Sequence, residues 1–307
     1  MQSRQADDTT NRTGNKPGHI VHAVMEICGE TREALGLVSG WDRAAHIFWL
    51  LGPFILLVER SPADMWLSVI ALIFAGRSIL RREGWWLRVT WVWLAFLFWA
   101  ACLLSAFLSP LPAYSVSEAF VWFRFPLFAM AVAFWLGRDK RMINAMLLSI
   151  GLGMVAMCVI LAAEILIVGA NQGRLSWPYG DLVPGNYLAK ACLPAFVVVV
   201  AIATSSNGRT ASWAAIIALI SIVASVMTGE RINFLIRACS SMLAAIAWRP
   251  RLYRVIAIFA VEGIAILTAI MSAPGLVQRF VDQFFQQLPT HGDSPYFRAM
   301  APGWLAF

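Results

Sequence analysis

The sequence predicts an all-α fold: a polytopic transmembrane helix bundle with about nine spanning helices and one further helix lying on the membrane surface. Three observations predict it. Hydrophobic residues make up 60% of the 307 and charged residues only 13%, where soluble domains carry roughly 45–50% and about 25%. The apolar residues gather into runs that approach the ~20 residues a helix needs to cross a bilayer. The Lys and Arg residues fall between those runs instead of forming one basic face. A soluble enzyme of this composition would need a core too large for its surface, and a disordered chain needs low hydrophobicity. A net charge of +7, dispersed in this way, sets membrane orientation and does not mark a nucleic-acid surface. The runs are apolar all round and lack the alternation of a β-barrel.

Residues 1–43 read as a polar cytoplasmic tail of mixed charge, with no early apolar core of the kind that opens a secretory leader. His19 and His22 lie in it without further ligands and read as solvated. Residues 44–273 form the helix bundle, with spans expected at 44–58, 65–80, 85–108, 119–137, 143–169, 187–204, 212–228, 232–248 and 255–273. The first is short and contains Pro53. With the N-terminus inside, the inner loops hold Arg81, Arg82, Arg138, Lys140, Arg141, Arg209, Arg249, Arg251 and Arg254, and the tail holds five more Lys and Arg. The outer loops hold only Arg60, Arg174, Arg231, Arg279 and Arg298. The positive-inside rule favours that orientation. Residues 274–307 are expected on the periplasmic side. There, 276–288 places Leu276, Val277, Phe280, Val281, Phe284, Phe285 and Leu288 on one helical face and Gln, Arg and Asp on the other. Residues 301–307 read as the start of another apolar helix, so the polypeptide is expected to continue. The five scattered cysteines have no metal or redox spacing and read as small buried hydrophobes.

Charges inside a span are costly and mark sites or pathways. Arg77 and Arg88 stand near inner helix ends, within reach of cytoplasmic headgroups. Arg124, Lys190, Arg237 and Glu164 fall in the outer half instead. Arg124 lies about 9 Å below Glu118, and Arg237 about 9 Å below Arg231, at the helical rise. Cations converging on one leaflet repel each other unless an anion joins them, and diphosphate suits the guanidinium fork. The alternative is separate ion pairs, for example of Glu164 or Glu230 with a neighbouring Arg. The loop 171–186, NQGRLSWPYGDLVPGN, is turn-rich. Asn186 and Lys190 are four residues apart and share a helical face; Asn186 is also a candidate helix cap.

At these residues the chain resembles the O-antigen ligase and O-antigen polymerase family of bacterial inner-membrane glycosyltransferases, most of all the ligases. The resemblance rests on Gly173-Arg174-Leu175 followed by Pro184-Gly185-Asn186-Tyr187-Leu188-Ala189, on Thr228-Gly229-Glu230-Arg231 opening a helix, and on Arg298 in SPYFRAMAPGW. It covers residues 173 to 307, and earlier helices agree only in character. It implies an enzyme of the inner membrane, active at the periplasmic face, that moves a glycan from undecaprenyl diphosphate to the lipid A–core oligosaccharide. It implies no cofactor and no metal, and it assigns Arg174, Arg231 and Arg298 to the diphosphate. Asn186, Lys190, Arg124 and Arg237 form a second tier around them. The family's functional histidine follows its third Arg, whereas His291 precedes Arg298. The catalytic base is therefore open among residues beyond Phe307 and the outer acids Glu230, Asp181 and Asp293. A polymerase of O-antigen or exopolysaccharide is the alternative within the class. A transporter of an anionic or lipid-linked sugar is the rival outside it, because intramembrane cations also line transport paths.

Overall fold

Inside a bilayer no water satisfies the backbone, so a spanning chain closes its hydrogen bonds within helices. The computed structural model describes residues 19–38, 40–169, 175–176, 178–179, 183–206, 208–229, 236–237, 239–244 and 252–272, and its regular elements among these residues are all helical. In order they are α1 (His19–Leu37), α2 (Gly40–Leu50), α3 (Gly52–Val58), α4 (Arg60–Leu80), a 3₁₀ turn (Trp85–Arg88), α5 (Thr90–Phe107), α6 (Pro112–Trp122), α7 (Arg124–Ala131) with a π-helical end (Val132–Leu136), and α8 (Lys140–Ile167). There follow α9 (Val183–Asn186) with a π-helical stretch (Tyr187–Ala191), α10 (Leu193–Ser205), α11 (Arg209–Met227) and α12 (Leu252–Ser272).

Among the described residues five helices are long and apolar enough to cross a membrane: Ser61–Leu80, Thr90–Phe107, Pro112–Leu136, Lys140–Ile167 and Arg209–Met227. Two bent pairs bring the number to seven if each is one span: Gly40–Leu50 with Gly52–Val58, bent by 47°, and Pro184–Ala191 with Leu193–Thr204, bent by 61°. These seven coincide with the first seven stretches expected from the sequence. The eighth, 232–248, lies largely outside the described residues, and the ninth falls within α12. The surface helix expected at 276–288 also lies outside them. Nine spans are thus the expectation, and five to seven are what the described residues contain.

One buried cluster, including Met154, Leu161, Leu188, Phe196, Ile222 and Val226, joins α8, α10 and α11. A second, including Trp49, Trp66, Phe74, Met130, Trp135 and Met142, joins α2, α4, α7 and the start of α8. Apolar side chains on the far faces stay exposed, as on α5 with Trp93, Leu97, Phe98 and Leu104. That is the pattern of helices that meet lipid instead of water.

Both breaks have side-chain donors around them. At the first, Pro53 has no N–H to donate, and nearby carbonyls accept from other helices: Phe48 O from Trp66 Nε1 (2.8 Å), Leu50 O from Ser149 Oγ (2.7 Å) and Pro53 O from the Tyr187 hydroxyl (2.8 Å). At the second, the π-helical stretch turns Cys192 N–H to Tyr187 O (3.0 Å), and Pro194 in the next turn lacks a donor. The two breaks therefore touch, through Tyr187 and Pro53. Gly153 of α8 lies beside this contact, and a Cβ there would stand 2.1 Å from the Tyr187 hydroxyl.

Charged side chains from several helices gather at shared ends. At one end Asp42 receives Arg77 Nε (3.3 Å) and Arg81 Nη2 (2.7 Å), and Arg77 also pairs with Glu83 and lies over Trp135 (5.1 Å). Arg77 is therefore locked in ion pairs rather than reaching freely for headgroups. Asp139 caps α8 at the same end by accepting Arg141 N–H (2.9 Å), and the Arg141 guanidinium beside it holds its carboxyl below the ordinary value. Within the N-terminal tail α1 forms a helix against α8, its partly buried face running through Val24, Ile27, Thr31, Ala34 and Leu35.

Candidate functional site

The opposite end carries the residues around the sequence motifs. Glu164, 3% exposed, stands in the last turn of α8, and its carbonyl accepts Val168 N (2.9 Å) and Gly169 N (3.0 Å). Its carboxylate Oε1 accepts the backbone N–H of Ser176 (3.0 Å). The neighbouring Leu175 N–H donates to Met227 O, the last residue of α11 (2.9 Å). Tyr179 hydrogen-bonds Leu57 O at the end of α3, and burial pushes its phenol above the usual value. Leu175, Ser176 and Tyr179 are thereby tied to the ends of three helices.

Helix α11 stops at Gly229, which has a φ of +71°. Only glycine takes that left-handed conformation freely, and this is the glycine of Thr228-Gly229-Glu230-Arg231. Thr228, 1% exposed, turns its hydroxyl back to Ser225 O (2.6 Å). The backbone bond from Leu175 to Met227 thus joins the first and second motifs, about fifty residues apart in sequence.

Arg237 occupies the interior next to the second break, 2% exposed. Its guanidinium donates to Ser221 Oγ of α11 (2.7 Å) and to Leu188 O, and its carbon stands 4.5 Å from the centre of the Phe196 ring. Leu188 O is the carbonyl from which the π-helical turn diverts the Cys192 N–H, so Arg237 supplies the missing donor. The Nε of Arg237 has no partner among the described residues. Glu262 of α12, 7% exposed, is the carboxylate in electrostatic reach of it. Charges this deep are compensated or functional.

The other expected residues divide. Asn186 and Lys190 meet directly, Nζ to Oδ1 at 2.8 Å, and Asn186 has helical backbone without a capping bond. Lys190 and Arg237 thus flank the same turn. Arg124 stands apart, in an ion pair with Asp64 of α4 (3.2 Å) and against Phe125; separate pairing was the alternative for the embedded charges. Arg174, Arg231 and Arg298 lie outside the described residues, as do Glu230, Asp181, Asp293 and His291. No family model, curated protein or solved structure matches the chain. Among the described residues no group of three or more His, Cys, Asp or Glu is arranged to hold a metal. Two participants escape the sequence reading. Glu262 sits inside the expected span 255–273, and the embedded-charge criterion applied to Arg237 would have found it. Tyr187 reads as one more apolar aromatic until its hydroxyl partner is known.

Proposed function

We propose that the protein is a membrane glycosyltransferase that moves a glycan from undecaprenyl diphosphate to the lipid A–core oligosaccharide at the periplasmic face of the bacterial inner membrane. The observation that supports this reading best is the backbone bond from Leu175 to Met227, which draws the segment after Arg174 to the helix end before Gly229-Glu230-Arg231. Arginines gathered from separate motifs suit a diphosphate because each guanidinium offers two parallel N–H donors. An acceptor hydroxyl attacks the anomeric carbon and gives its proton to a base, the sugar–phosphate bond breaks, and the electron pair stays on the departing diphosphate. Arg174, Arg231 and Arg298 would stabilise that developing charge. Polymerisation of O-antigen or exopolysaccharide uses the same donor and differs only in the acceptor.

The test is transfer in proteoliposomes from undecaprenyl-diphosphate-linked glycan to lipid A–core. Arg231→Lys keeps the charge but loses the bidentate fork, and its rate should fall about a hundred- to thousand-fold, equivalent to roughly 2.7–4 kcal/mol. Membrane insertion should be unchanged. A rate within a few-fold of wild type would remove the diphosphate role from Arg231. One observation favours a second reading: two bent spans touch at their breaks, and discontinuous helices line the substrate sites of many transporters. Translocation of lipid-linked sugar without any glycan transfer would decide for that reading.

A further inference from the structure

Building on the donor-site reading above, we infer that Glu164 is the positioning residue of that site, holding the segment that follows Arg174 in place. Loop residues are ordinarily poor places for a bidentate contact, which tolerates only about 0.5 Å of displacement. Here two consecutive N–H groups are held by two different helices. Leu175 donates to Met227 O at 2.9 Å, and Ser176 donates to Glu164 Oε1 at 3.0 Å. Leu175 is 1% exposed and Glu164 3% exposed, so water does not compete for either bond. Of the two anchors only Glu164 is a side chain, hence only that one can be removed by substitution.

The chemistry of the anchor selects the informative variants. One oxygen does the holding, while Oε2 has no partner among the described residues. A carboxamide keeps the holding oxygen, removes the charge and puts an NH2 where the unpartnered Oε2 stands. Glu164→Gln should therefore behave as wild type, and Glu164→Leu, which has no acceptor, should release Ser176.

Two measurements on the full-length protein in nanodiscs test this. The first is amide hydrogen exchange in peptides covering residues 175–176. Exchange should quicken in Glu164→Leu and stay as in wild type in Glu164→Gln. The second is the affinity for undecaprenyl diphosphate, which should weaken at least ten-fold in Glu164→Leu and less than two-fold in Glu164→Gln. Unchanged exchange in Glu164→Leu overturns the anchor. Unchanged affinity in Glu164→Leu, with a wild type that binds, overturns the positioning role and leaves the donor-site reading standing. Equal losses in both variants assign the effect to the charge and also overturn it. A wild type that shows no saturable binding removes the donor-site reading, and this role falls with it.

Discussion

Tyr187 does two jobs with one side chain. Its ring belongs to the core between α8, α10 and α11, and its hydroxyl donates to Pro53 O in another span. Tyr187→Phe keeps the ring and removes a buried hydrogen bond, so it should lower stability by about 0.5–1.5 kcal/mol in an unfolding titration. Gly153→Ala attacks the same contact from α8. A methyl 2.1 Å from the hydroxyl cannot be accommodated without moving the ring, and overpacking of this kind costs about 1–3 kcal/mol. Because both changes break one contact, the double variant should lose less than the sum of the two; full additivity would show that Gly153 and Tyr187 act independently. At this scale the sequence was legible where a rule of spacing applies, as for Asn186 and Lys190 four residues apart. It was silent where the partner comes from a distant helix. Nothing local to Tyr187 names Pro53, and nothing local to Arg124 names Asp64.

Broken helices need donors from outside themselves, and the second break takes its donor from Arg237. Arg237→Met removes the donor to Leu188 O and to Ser221 and leaves Glu262 without its cation. Loss of one partner from buried charges costs roughly 3–5 kcal/mol, whereas replacing both by apolar residues is often neutral. Arg237→Met should therefore destabilise strongly in SDS-induced unfolding, and Arg237→Met with Glu262→Leu should recover most of the loss. A double variant no better than the single one would mean that Glu262 does not balance Arg237. Pro53 and Pro194 stand in the sequence as visible interruptions, yet a proline alone does not say whether a span bends by 61° or merely kinks. That depends on whether donors such as Arg237, Trp66 and Ser149 arrive. Helix α1 is the opposite case. Its apolar spacing at Val24, Ile27, Thr31 and Ala34 was present in the tail, but surrounding charges masked it.

For the molecule as a whole, composition and charge placement were sufficient to expect an apolar helical bundle, because hydrocarbon allows only helices or closed barrels and the runs lack a barrel's alternation. Seven of the expected stretches coincide with spans or bent pairs. The bond from Leu175 to Met227 was not legible in the sequence, since it runs through main-chain atoms. Orientation is tested directly by cysteine labelling: Ser115→Cys should react from the periplasm and Ser206→Cys only after the membrane is opened. The reverse pattern would invert the molecule and turn the proposed donor site to the wrong face. The first broken span also has a history in time. Its carbonyls find donors 18, 99 and 134 residues further along the chain, at Trp66, Ser149 and Tyr187. At about 5–20 residues per second the ribosome delivers the last of these roughly 7–27 s after Pro53. The span that holds Pro53 is thus completed only after Tyr187 has been made.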